Sequence, residues 1–140
     1  MAIMTICYIG IGSNLGNRQK HIDQAIEILR KHKNIKVKRI SSISETEPAS
    51  DIPQGKFLNG VLEIETDLKA GELLSYLNLI EERLGRKRTA RNNSPRTMDL
   101  DILYYGDEAI TEPGLTIPHP RMGKREFVLK GLRELGKINE

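Results

Sequence analysis

Apolar and polar residues along this chain follow two periods in turn, and the switches between them mark out the elements. Residues 3–12 are a β-branched-rich run ended by Gly12-Ser13-Asn14-Leu15-Gly16-Asn17, a string of turn formers, which predicts a strand and then a turn. Ile22, Ala25, Ile26 and Leu29 recur at helical spacing behind Asn17, a candidate N-cap, so a helix is expected to about residue 31. Residues 35–44 read as a strand whose apolar positions change parity between Val37 and Ile40, the mark of a bulge. A loop over 45–56 holds Pro48, Pro53 and Gly55. The next strand, 57–65, places Leu58, Leu62 and Ile64 on one face and Phe57, Asn59 and Val61 on the other. Thr66-Asp67 reads as the cap of a second helix, lined by Leu73, Leu77, Ile80 and Leu84 and closed by Gly85. A basic loop over 86–97 leads into a strand over 99–105, which is expected to turn at Gly106-Asp107 into a short partner around 108–111. Beyond Pro113-Gly114 and Pro118-His119-Pro120, the chain finishes in a helix from Glu126 to about Leu135.

The order β-α-β-β-α-β over the first hundred or so residues is that of a ferredoxin-like unit, an α+β fold with an antiparallel sheet and two helices on one face. The added C-terminal hairpin and helix would cover part of the other face, giving three layers, α/β/α, in a single domain over 1–140. A length of 140 residues suits one domain with a proper core. This topology hosts many functions, so function has to be argued from a site.

Composition narrows the field modestly. Hydrophobic content of 38% and charged content of 29% describe an ordinary soluble globule. A formal charge of +3 and a pI near 9.0 fit an anionic small ligand without demanding nucleic acid. The lone Cys7 cannot form an internal disulfide and reads as a buried thiol in a reducing cytoplasm. No 18-residue apolar stretch and no signal peptide is seen, so a cytoplasmic location without a membrane partner is expected.

The chemistry concentrates at Pro95-Arg96-Thr97-Met98-Asp99-Leu100-Asp101-Ile102. On a strand, Asp99 and Asp101 point one way and Leu100 and Ile102 the other. Their Cα atoms lie roughly 6.5 Å apart, a gap suited to clasping one metal ion or two. Aspartate is a poor strand former, so the pair needs a reason beyond folding. A strand face that simply meets water is the other reading. Arg86, Lys87, Arg88, Arg91 and Arg96 put five cations into the eleven residues before it. A solvated charge run is the usual explanation, yet cations beside paired carboxylates suggest a polyphosphate held by Mg2+ and guanidinium forks. Asn78 and Glu81, one helical turn apart, share the side of their helix nearest that loop, with surface decoration as the alternative. Flanking prolines stiffen the chain around His119, which favours a ligand-facing role, while Phe127 suits core or ligand equally. The run Gly10-Ile11-Gly12-Ser13-Asn14-Leu15-Gly16 misses the dinucleotide fingerprint, because its third glycine falls one place late, and reads as a strand-to-helix turn.

The central run resembles the signature of the 6-hydroxymethyl-7,8-dihydropterin pyrophosphokinase family of folate biosynthesis. Ile9-Gly10-Ile11-Gly12-Ser13-Asn14-Leu15-Gly16, Phe57-Leu58-Asn59 and Ile117-Pro118-His119-Pro120-Arg121-Met122 are similar to the family's other motifs, in the same order, so the resemblance spans nearly the whole chain. It implies transfer of a diphosphate from ATP, the co-substrate, to the pterin hydroxymethyl group, releasing AMP, with two Mg2+ ions. By the same resemblance Asp99 and Asp101 would hold both metals, and Arg96 with Arg86 or Arg88 would stabilise the moving phosphates. His119 and Arg125 would contact ATP, Asn78 and Glu81 would face the nucleotide, and Ile102 and Thr116 would lie beside its adenine. Asn59 would read the pterin's polar edge, helped by backbone groups of Thr46 and Ala49, with the ring between Phe57 and Phe127. Two Phe spent on one flat ligand is chemically sensible in a chain with 4% aromatic residues and no Trp. Asn93 stands where several members carry Trp, Asn78 replaces a commoner Gln, and Glu47 and Ala49 alter the pterin loop. The chain ends at Glu140, earlier than many members, so reduced distal packing is expected. The implied partners are ATP and the pterin alone, with a monomer expected and a dimer left open. A ferredoxin-like nucleic-acid module and a two-metal phosphohydrolase are the competing classes. The first lacks the stacking aromatics such sheets use, and the second leaves the paired Phe unexplained.

Overall fold

Alternation along β1 (Thr5–Ser13) puts Cys7, Ile9 and Ile11 on one face and Tyr8, Gly10 and Gly12 on the other. That strand is central in a computed structural model of the chain, which describes residues 3–48, 53–85, 97–120 and 125–138. Between β1 and the next strand runs α1 (Arg18–Lys31), begun by Asn17, whose Oδ1 accepts from the Lys20 amide at 3.1 Å. β2 (Ile35–Ile40), β3 (Ser44–Thr46) and β4 (Phe57–Thr66) follow, then α2 (Ala70–Arg83) and β5 (Asp99–Tyr105). β6 (Ile110–Glu112), β7 (Leu115–Ile117) and α3 (Glu126–Glu134) complete the described elements. The main sheet is antiparallel, in the order β2-β4-β1-β5, with β3 also on β4. The chain is thus a mixed α/β fold with an antiparallel sheet and three helices.

Both faces of the sheet are covered, and each by a different set of helices. Cys7, Ile9, Ile11, Leu62, Ile64, Leu100 and Ile102 bury against Ile22, Ala25 and Leu29 of α1 and Leu73, Leu77 and Ile80 of α2. Tyr8, Val61 and Leu103 pack on the opposite face with Val128, Leu132 and Leu135, at α3. Two-sided burial explains why the middle of β4 reads as a nearly continuous apolar run.

Several boundaries differ from the sequence expectation. The bulge in β2 lies between Val37 and Arg39, as the parity change indicates. The strand then stops at Ile40, because the Ser41 hydroxyl takes the Val61 amide at 2.8 Å in place of a ladder bond. Pairing resumes at Ser44–Thr46, from the end of the expected strand into the segment expected to be loop. Thr66 does not cap α2. Its hydroxyl is committed at the end of β4, donating to Asn34 O at 2.6 Å and accepting from Leu68 N at 3.1 Å. The N-cap is Lys69, whose amide donates to the Glu72 carboxylate at 2.8 Å. The expected partner of β5 around 108–111 is also corrected. Pro113-Gly114 closes a separate hairpin of β6 with β7. Beside β5 lie instead the Glu81 carboxylate, on Leu100 N at 2.8 Å, and His119 N, on Leu103 O at 3.1 Å.

Candidate active site

The register of β1 builds the floor of a cleft. Gly10 lies opposite Asp101 and Gly12 opposite Asp99 on β5, while on the other side Gly10 lies opposite Val61 and Gly12 opposite Asn59 on β4. Cross-strand partners share a face, so bare backbone here runs between two carboxylates and an amide. A Cβ at Gly12 would press into Asn59 Oδ1 and push that side chain from its place. This agrees with a first strand reaching Gly12 and shortens the strand-to-helix turn read over residues 10–16. Gly10 and Gly12 are strand positions, and the turn begins after Ser13.

Above the floor stands the start of α3. Arg125 Nη1 lies 3.9 Å from Asp101 Oδ2, and the Arg125 guanidinium carbon lies 5.9 Å from the centre of the Phe127 ring. Gly10, Gly12, Asn59, Asp99, Asp101, Arg125 and Phe127 thus line one narrow cleft, about 10 Å3, whose apolar wall is Leu103 and Val128. Two carboxylates on one face repel each other, and a nearby guanidinium offsets part of that repulsion. Among the described residues no cluster of three or more metal-ligating side chains occurs, so Asp99 and Asp101 stand as a pair. Two hard carboxylates fit Mg2+, an ion that takes one or two protein carboxylates and fills its remaining positions with water and phosphate oxygens.

The strand bearing the acids is held along its length. Glu81 is only 3% exposed, and its Oε2 accepts from the amide of Leu100, the residue between the two aspartates. It therefore braces the site, where an open helix face towards the nucleotide had been expected. At the far end the Tyr105 hydroxyl donates to Leu68 O at 2.5 Å, and burial raises its pKa. His119 is placed beside β5 by its own amide. Asn78 is half-buried on α2, and Thr116 is exposed on β7. Ile102 points its side chain into the α1/α2 core, which leaves only its backbone for a ligand.

On the other flank the Asn59 Nδ2 donates to Thr46 Oγ1 at 2.5 Å, joining two residues expected to read a pterin. Phe57 is buried opposite Thr46 in the β3–β4 register. The segment before it is tied down by residues the sequence did not flag. Asn14 Nδ2 donates to Gln54 Oε1 at 2.7 Å and to Gly55 O at 3.2 Å. Arg18 donates to Lys56 O at 2.8 Å and pairs with Glu45 at 2.9 Å. Ala49, Arg86, Arg88 and Arg96 lie outside the described residues, as do Asn93, Arg121 and Met122.

The model of the family described as 7,8-dihydro-6-hydroxymethylpterin-pyrophosphokinase (HPPK) matches residues 8–137. A Bacillus subtilis protein named 2-amino-4-hydroxy-6-hydroxymethyldihydropteridine pyrophosphokinase is 45% identical over 130 residues, 93% of this chain and 77% of the relative. The bifunctional protein FolKE of Lactococcus lactis subsp. cremoris is 38% identical over 94% of this chain, which spans 38% of that protein. The folic acid synthesis protein fol1 of Pneumocystis carinii is 44% identical over 91% of this chain, which spans 17% of that one.

Proposed function

The chain belongs to the 7,8-dihydro-6-hydroxymethylpterin-pyrophosphokinase family, and from that membership we propose which of its residues carry the reaction. The enzyme transfers diphosphate from ATP to the hydroxymethyl group of 6-hydroxymethyl-7,8-dihydropterin, a step of folate synthesis. The hydroxymethyl oxygen bonds to the β-phosphorus, the bond from that phosphorus to the α–β bridging oxygen breaks, AMP leaves, and the hydroxyl proton is released. Such a transfer asks a protein mainly for positioning and for stabilising charge.

The observation that carries the assignment is the shared cleft, with Asp99 and Asp101 on one side of the glycine floor, Asn59 on the other, and Phe127 lining the same space. Asp99 and Asp101 hold two Mg2+ ions, which supply charge neutralisation for the phosphates. Arg125 and His119 grip the ATP phosphates, and Arg86, Arg88 and Arg96 join them from the basic loop. Asn78, Thr116 and the backbone of Ile102 take the nucleoside, while Glu81 holds the aspartate strand beneath. Asn59 reads the polar edge of the pterin, with Thr46 and Ala49 alongside, and Phe57 and Phe127 flank the ring. The sheet order and the two helices sharing one face support a ferredoxin-like βαββαβ arrangement, extended to three layers by α3. We read the protein as a cytoplasmic monomer, and among the described residues no helix is long and apolar enough to cross a membrane.

Release of AMP from MgATP, followed with and without the hydroxymethyl pterin, tests the reaction; free phosphate in place of AMP would indicate the phosphohydrolase. Asp101→Asn is expected to lower kcat on the order of 100-fold or more with the fold intact, because a metal-binding charge is lost while the strand keeps its shape. A wild-type rate in Asp101→Asn removes the metal assignment.

A further inference from the structure

Gly131 sits in the middle of α3, where a glycine weakens a helix and needs another reason to be present. Packing supplies one. A Cβ at Gly131 would lie 2.5 Å from Val61 Cγ2, 2.9 Å from Val61 Cβ and 3.2 Å from Ser41 Oγ, closer than side chains tolerate. The helix therefore rests its backbone directly on β4. Val61 shares its face of β4 with Asn59, two residues earlier, and Gly131 lies about one turn after Phe127. Two strand residues span about 6.6 Å and four helical residues rise about 6 Å, so the two intervals match. Phe127 and Asn59 both line the cleft, while Gly131 meets Val61 one step on. A further turn along, Arg39 bonds both the Leu135 carbonyl and the carboxylate of Glu63, the next residue on that face of β4. Helix and strand thus run alongside one another, and this contact fixes their separation.

We propose that Gly131 is a positioning residue for the pterin slot: by seating α3 on Val61 it sets the height of Phe127 above the floor of Gly10, Gly12 and Asn59. This rests on the reading of Phe127 and Asn59 as pterin contacts. A flat ring gains from stacking only at van der Waals distance, and a gap of about 0.5–1 Å forfeits roughly a quarter to a half of the attraction. Most of the nucleotide contacts proposed, on β5, β7 and α2, do not depend on that height, and only Arg125, at the N-cap of α3, moves with it, so the larger effect falls on the pterin.

The test is calorimetric titration of the hydroxymethyl pterin in the presence of Mg2+ and a non-hydrolysable ATP analogue, with a separate titration of the analogue. Gly131→Ala is expected to weaken pterin binding about tenfold or more and to weaken the analogue clearly less, since only one of the analogue's proposed contacts rides on α3. Adding Val61→Ala returns the lost space and is expected to restore pterin binding. If Gly131→Ala does not fold, Val61→Ile thickens the same contact from the strand side and must give the same selective loss. Unchanged pterin affinity, equal loss for both ligands, or no recovery in the double variant overturns the proposal. Phe127→Ala is the control on the underlying reading. Wild-type pterin binding there removes the slot itself, whereas loss there combined with none at positions 131 and 61 removes only the seat.

Discussion

Glu81 carries a carboxylate where few are left, buried between α2 and the strand that bears the aspartates. Its bond to the Leu100 amide fixes the peptide between Asp99 and Asp101, so it acts on the site through the backbone. Removing the acceptor strands a buried N–H, which costs about 1–3 kcal/mol. Glu81→Leu is expected to lower both the thermal midpoint and the affinity for Mn2+ followed by electron spin resonance. Glu81→Gln keeps an oxygen for the amide and is expected to recover most of the Mn2+ affinity; equal weakening in the two variants would show that the charge matters more than the brace. The position was legible in principle, since Glu81 is four residues after Leu77 and falls on the stripe that also holds Ile80. A charged residue on an apolar stripe signals a buried partner, but only the fold names Leu100 as that partner. The aspartate pair was plain because period-two spacing needs no tertiary knowledge. The strand was read as far as Gly12, but only pairing with β4 and β5 reveals that the glycines form the floor of a cleft beside Asn59.

At the scale of elements, α3 is the one whose attachment bears most directly on the cleft. Its last residue, Glu134, accepts from the Ser42 amide at 2.8 Å and from the Ser42 hydroxyl at 2.9 Å and 2.7 Å. Hydrogen bonds from the Ser42 side chain, then from its backbone, hold the Glu134 carboxyl below its ordinary value of 4.5. A depressed folded value means that the stabilisation is present above the unfolded value and is lost as pH falls through the folded one. Thermal midpoints of wild type and Glu134→Gln should therefore differ at neutral pH and converge as pH drops below 4.5, the ordinary glutamate value. Curves that stay parallel throughout would rule out the anchor. Long periodic stretches such as α1 and α2 were readable from the chain because their burial repeats over several turns. The break at Ser41, the cap at Lys69 and the pairing of β6 with β7 were not, since each is decided by a group distant in sequence or by competition between neighbouring caps.

The molecule as a whole divides its apolar interior by the sheet, and the two halves serve different ends. Leu77 in the α1/α2 half and Leu132 in the α3 half are both essentially inaccessible to solvent. Truncation of either to alanine should cost about 2–5 kcal/mol in denaturant unfolding. Only Leu132→Ala is expected to weaken pterin binding well below its melting temperature, because it loosens the helix carrying Phe127; a similar loss in Leu77→Ala would show that the halves are coupled. The single thiol is central to the first half, where burial pushes Cys7 up to about 12, so it stays a neutral apolar filler. Besides the bulge in β2, the sheet contains a mismatch in length at its centre: Tyr8 lies opposite Tyr104 and Ile9 opposite Ile102, leaving Leu103 as an extra residue in β5. The strand is in effect geared in two sections. Asp99, Asp101 and Tyr104 reach the same layer although simple counting would send the tyrosine elsewhere, so the acid-bearing section keeps its orientation whatever the aromatic section requires. Excising that one surplus residue would return β5 to plain alternation with both sections facing as before, so what would be lost is the leucine that walls the cleft.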